Sequence, residues 1–145
     1  MTAIQNEFNT YLSLLDKEIS LYKNEDHILD TTNITNSPGN LALHLCGNLS
    51  HYIGATLMDT GYVRDRDHEF SNKNVTRKEL LNKISEVKEM MNYFFESYIE
   101  EKLKEIYPKN YFGESKTILD ILFILAFHLS YHIGQIDYHR RINNF

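Results

Sequence analysis

Apolar residues recur on one helical face along four separate stretches of the chain. From Thr2 to Lys23, residues Ile4, Phe8, Tyr11, Leu12, Leu15, Ile19 and Tyr22 return at three- and four-residue steps. That is the period of an amphipathic helix with one buried face, and Thr2 stands where its cap belongs. Asn24 to Asn36, rich in Asn, Asp and Thr, reads as a loop. Ser37-Pro38 then gives a helix start, serine as the cap and proline at the first helical position. The second helix is predicted to run to Asp59 or Thr60, with Gly61 suited to its end. Its segment LALHLCGNLSHYIGATLM is apolar round more of the circumference than the first helix. Gly47, Gly54 and Ala55 within it would let another helix approach closely.

Tyr62 to Val75 reads as a long polar connection, with Arg64, Asp65, Arg66, Asp67, His68 and Glu69 in succession. Alternating charge of this kind is expected to be solvated. Measured along the second helix it starts about 22 Å from His44 at 1.5 Å per residue, so Arg64 or Arg66 would hold an anionic substrate group only if the loop folds back or meets a second subunit. Thr76 with Glu79 forms a capping box that opens a third helix. Leu80, Ile84, Val87, Met91, Phe94, Phe95, Tyr98 and Leu103 point inward along it, and Pro108 marks its end. After a short loop, Thr117 with Asp120 caps a fourth helix, whose last turns carry Arg140 and Arg141, favourable to the helix dipole. No strand-period segment, repeat or low-complexity tract appears. The expected fold is all-α, a single-domain four-helix bundle over residues 1–145.

The formal net charge of -5 argues against a general nucleic-acid binder. No eighteen consecutive apolar residues occur, so no membrane span is expected, and the first residues lack a signal-peptide pattern. A single cysteine, Cys46, excludes an internal disulfide. The expectation is a soluble cytoplasmic protein.

The chemistry concentrates in the fourth helix. His128, His132, Gln135 and His139 interrupt its apolar run along one narrow stripe. His128 and His132, four residues apart, stand one above the other with Cβ atoms about 5–6 Å apart. Both can point at a single ion at bond lengths of about 2.0–2.1 Å. A third ligand should come from the second helix, where His44 and His51 lie about 10.5 Å apart along the axis and cannot both serve. His44, among Leu41, Leu43 and Leu45, is the better candidate; His51 lies nearer the surface or contacts a ligand from outside. His139 is likewise too far from His132 to join it. Asn48 and Gln135 are candidates for hydrogen bonds that orient a ligand or substrate. Core histidines satisfied by hydrogen bonds are the plain alternative, but three buried imidazoles without partners would each cost about 1–3 kcal/mol. The pair lacks the glutamate of HExxH, which disfavours protease chemistry. Cys46 points away from His44 and reads as an inert core thiol.

The segments HLCGNLSHYIG, RDRDHEF and HLSYHIGQIDYHRR resemble the DinB-like superfamily (DinB/YfiT type). The similarity runs from Asn40 to Ile142 and is closest to a small branch of bacterial proteins of unknown function, with HLxGN and HxxxHxGQ motifs. It implies a four-helix bundle of unusual topology, commonly dimeric, with three histidines holding a divalent metal; here these are His44, His128 and His132. Members of the superfamily transfer a low-molecular-weight thiol such as bacillithiol to electrophiles, and others are thiol-dependent isomerases or amide hydrolases. The leading expectation is therefore a homodimeric metal-dependent thiol S-transferase in stress response or detoxification. Zinc or nickel come first as the ion, with iron or manganese behind them. Hydrolysis of small amides or esters, and a non-catalytic metal-stabilised interaction bundle, remain as alternatives.

Overall fold

Each helix start marked by a polar cap in the sequence is a helix start in the computed structural model, which describes residues 2–145. Thr2 accepts from the Gln5 amide and opens α1, Ala3–Ser20. Ser37 accepts from the Asn40 amide and opens α2, Pro38–Leu49, with proline in the first turn. Asp65 caps a short α3, Arg66–Ser71. Capping boxes at Thr76/Glu79 and Thr117/Asp120 open α4, Arg77–Ser97, and α5, Ile118–Ile142. No strand forms among the described residues, and the fold is an all-helical bundle.

Pairings between side chains fix the helix directions. α1 lies antiparallel to α4, because Phe8 meets Phe95, Asp16 pairs with Lys88, and Arg77 bonds the Tyr22 carbonyl. α1 lies parallel to α5, with Glu18 on Arg140 and Tyr22 on His139. α2 lies parallel to α4: Asn40 near its start bonds Lys73, just ahead of α4, and Leu57 beyond its end bonds Tyr98, just past α4. α2 is antiparallel to α5, with His44 against His128 and Tyr52 bonded to Tyr107, ahead of α5. The order is up, down, down, up. Between α2 and α4, which are parallel neighbours, the chain has to travel back along the bundle. That return carries α3, and it brings the RDRDHEF segment beside the start of α2. The expectation of a remote, solvated loop is overturned here.

Three further boundaries differ from the sequence reading. α2 continues as a π-helical turn over Ser50–Ala55 and finishes before Asp59, which takes the left-handed conformation (φ 52) in the place expected of Gly61. A Cβ at Gly54 would approach Met90 Sδ to 2.8 Å, so this wider turn lies tight against α4. α4 stops at Ser97, well before Pro108. Tyr98 turns to extended backbone and donates its hydroxyl to the Leu57 carbonyl, and a separate 3-10 turn buries Leu103. The loop after α1 holds a 3-10 turn, Glu25–Leu29, that buries Ile28.

The core runs between the four long helices, with Phe8, Leu12, Leu15, Leu45, Leu49, Ile84, Phe94, Leu122 and Ile136 among its closed-off side chains. α5 is long and apolar enough to cross a membrane by length and composition, which the count of consecutive apolar residues did not register. Its Ile121, Leu122, Leu125, Leu129, Ile133 and Ile136 are buried in this core.

Candidate metal centre

His44 stands two turns into α2, and His128 and His132 stand on the facing side of α5. The three converge. His128 Nε2 lies 3.1 Å from His44 Nε2 and 3.1 Å from His132 Nε2. One ring nitrogen of each falls within 4.8 Å of the others, a group that could hold a metal ion. Two ligands at bond lengths of about 2.05 Å and a tetrahedral angle sit about 3.3 Å apart, close to the two 3.1 Å separations.

The far nitrogens carry the chemical argument. His44 Nδ1 lies 2.9 Å from Glu69 Oε2, a carboxylate only able to accept, and 3.2 Å from Arg64 Nη2, which already donates to that same oxygen; the shorter contact, to Glu69, favours the His44 proton on Nδ1. His132 Nδ1 lies 2.6 Å from the Gln135 carbonyl oxygen, whose amide nitrogen reaches Tyr131 Oη at 3.4 Å, and this places the His132 proton on Nδ1 as well. Two Nε2 lone pairs thus face each other across His128. Its Nε2–H could answer one of them, but its own Nδ1 is buried without a partner. Converging lone pairs with protons held on the outer nitrogens are the arrangement a cation requires.

Burial first, then the neighbouring His132, His44 and Arg64, push His128 from 6.5 down to about 4. Burial also lowers His132, partly opposed by Gln135. Both are neutral near pH 7 and need lose no proton to bind an ion.

Glu69 and Arg64, placed by sequence in a solvated loop, belong to this site. Glu69 is 5% exposed. Arg64 Nε donates to Oε1 at 2.7 Å and its Nη2 to Oε2 at 3.0 Å, a two-point clamp. Burial would raise the Glu69 carboxyl, but the His44 and Arg64 hydrogen bonds outweigh it and hold the group below the ordinary glutamate value. Gly47 is what gives the carboxylate room: a Cβ there would collide with Glu69 Oε1. The close approach expected of this glycine is thus made to the crossover. Phe70 packs on the His44 ring (centroids 4.8 Å apart), and the Arg66 guanidinium lies over the Phe70 ring, 5.2 Å from its centroid.

Asn40, which the sequence reading did not single out, fastens this segment. Its buried Nδ2 donates to the carbonyls of Glu69 (2.9 Å) and Asn72 (2.7 Å), while its Oδ1 accepts from Ser37 and Lys73. Asn48 is buried beyond His44 but hydrogen-bonds none of the three histidines; the crossover has put Glu69 on the nitrogen it was expected to serve. His51 packs against Tyr52 and Tyr111, away from the cluster. His139 is held by Tyr22 Oη at 3.0 Å and Asp30 Oδ2 at 3.0 Å. Cys46 is buried, which pushes its thiol up to about 12.

No curated protein and no solved structure matches the chain. One family does, over residues 1–144, a span that takes in all five helices and both sides of the histidine cluster. The chain belongs to the family described as "Protein of unknown function (DUF1572)", a DinB-like family.

Proposed function

We propose that the protein is a divalent-metal-dependent enzyme in which His44, His128 and His132 hold zinc or nickel, and that it transfers a thiol to an electrophile. The observation that carries this reading is the convergence of three Nε2 atoms, with the outer nitrogen of His44 committed to Glu69 and that of His132 to Gln135. A divalent ion bound by three neutral imidazoles keeps its full charge, and so favours the deprotonated form of a thiol near neutral pH. Glu69 and Gln135 hold two of the imidazoles in orientation. The thiol proton leaves to solvent, sulfur forms the bond to the electrophilic carbon, and the leaving group departs with its electron pair.

Transfer is preferred over hydrolysis because of how Glu69 is used. Water activation of the HExxH kind needs a carboxylate free to take a proton. Both Glu69 oxygens are engaged, by His44 and twice by Arg64.

Elemental analysis of the purified protein beside a His128→Ala/His132→Ala variant tests the site, with near one ion per chain expected in the parent and none in the variant. Metal-dependent conjugation of a low-molecular-weight thiol such as bacillithiol to 1-chloro-2,4-dinitrobenzene tests the reaction. Metal-dependent release of 4-nitrophenol from its acetate, with no conjugation, would select hydrolysis instead.

A further inference from the structure

His132 and Gln135 also form part of the wall of a cavity of about 660 Å³ between the Thr32–Asn36 loop and the last three turns of α5. Its size is that of a small-molecule site. What distinguishes it is its chemistry. Among the described residues no Asp, Glu, Lys or Arg lines it, although 24% of the chain is charged. The 540 Å³ groove under the crossover is the contrast, lined by Asp65, Glu69, Lys83 and Glu86 among others.

The two sides of the cavity differ. The α5 side presents the rings of Tyr131 and Tyr138, two turns apart, with Ile142 beyond, and Pro38 and Leu41 of α2 extend the apolar surface. The loop side brings the hydroxyls and amides of Thr32, Asn33, Thr35 and Asn36. His139 reaches the lining too, but both of its ring nitrogens are taken, and any proton charge on it is matched by Asp30. With no ion on His132, a ligand with an ionised group would therefore have to shed hydration there without a counter-charge. An uncharged, flat molecule can lay its apolar face on the tyrosines and offer hydrogen-bonding groups to the loop.

We infer that this cavity binds the electrophile, and that the electrophile is an uncharged, ring-bearing small molecule. This rests on the metal-dependent transfer reading for the word electrophile, while the preference for an uncharged ligand belongs to the lining itself. An anionic thiol would be held by an ion on His132 and not by the rest of this lining.

The test uses two probes of equal shape, 4-nitrobenzamide and 4-nitrobenzoate, titrated into chelated, metal-free parent protein by isothermal calorimetry with the tyrosine ring signals followed by NMR. The amide is expected to bind at least about tenfold more tightly than the carboxylate, the cost of one unpaired charge being several-fold larger than that in principle, and to shift the signals of Tyr131 and Tyr138. Tyr138→Lys, which sets an ammonium on an exposed part of the wall, should narrow or reverse that ratio. The same titration in His128→Ala keeps the two readings separate, since His128 is not part of the lining: metal is lost there while the amide preference stays. Equal or tighter binding of 4-nitrobenzoate to the parent overturns the inference, as does binding of neither probe, or binding that leaves Tyr131 and Tyr138 unmoved.

Discussion

A glutamate that is 5% exposed is expensive to bury, and Glu69 is clamped by an arginine and bonded to a histidine. By holding the proton on His44 Nδ1, Glu69 leaves Nε2 free and makes it a stronger donor to a cation. Glu69→Gln is expected to lower metal affinity about 10–100-fold in competition with a chromogenic chelator, with helical content unchanged by circular dichroism. Gly47→Ala should act in the same direction, because the added Cβ takes the space of Glu69 Oε1, though it removes no polar group. Unchanged affinity in both variants would make Glu69 a partner of Arg64 alone. At His128 the relevant variable is pH. The folded state holds it at about 4, by burial and then by its cationic or potentially cationic neighbours, against 6.5 in the open chain. Between these values the unfolded chain binds the proton and the folded chain does not, so stability of the metal-free protein rises with pH across this window and is lost as pH falls through it. The slope is below about 1.4 kcal/mol per pH unit, reduced by partial exposure. Urea titrations of chelated protein between pH 4 and 7 should show it, and His128→Ala should flatten it. The three histidines were legible in the sequence because each sits on a helix, where spacing alone fixes which side chains share a face. Glu69 and Arg64 were not, since their position depends on where a connection goes after it leaves a helix.

That connection is the element on which the site depends. Its course follows from α2 and α4 being parallel neighbours, a relation no local pattern encodes, while cap residues sit beside the backbone they satisfy and so marked four of the helix starts plainly. One local signal was available: Phe70 is a lone aromatic in a run of charges, and in the structure its ring lies on His44. Likewise α4 ends at Ser97 because Tyr98 is drawn across to Leu57, a tertiary bond that outranks the nearest proline. The crossover is fastened mainly by Asn40, whose Nδ2 serves the Glu69 and Asn72 carbonyls. Asn40→Ala leaves those two carbonyls short of a donor and should cost about 1–3 kcal/mol. Hydrogen exchange is the discriminating measurement: amides of α3 should lose protection well before those of α1 or α5. Uniform loss through the bundle would mean that the crossover unfolds only with the whole.

For the molecule as a whole, the histidine cluster is a junction between two helices that no short loop connects. α2 and α5 are separated in sequence by the crossover, α4 and the segment ahead of Thr117, and His44 meets His128 across 84 residues. An ion held there would tie the α2 and α5 walls of the bundle together only when both are folded, and the unfolded chain has no such triad preassembled. Binding is then linked to folding by mass action. At free metal about one hundred times the dissociation constant the gain is about 2.7 kcal/mol, which for a chain of this size corresponds to roughly 5–10 °C in Tm. Differential scanning calorimetry should record that rise on adding zinc or nickel to chelated protein, growing with the logarithm of free metal. In His128→Ala/His132→Ala the two scans should coincide. A parent that takes up one ion per chain with no change in Tm would place the ion on a state the folded bundle does not favour, and so away from this junction.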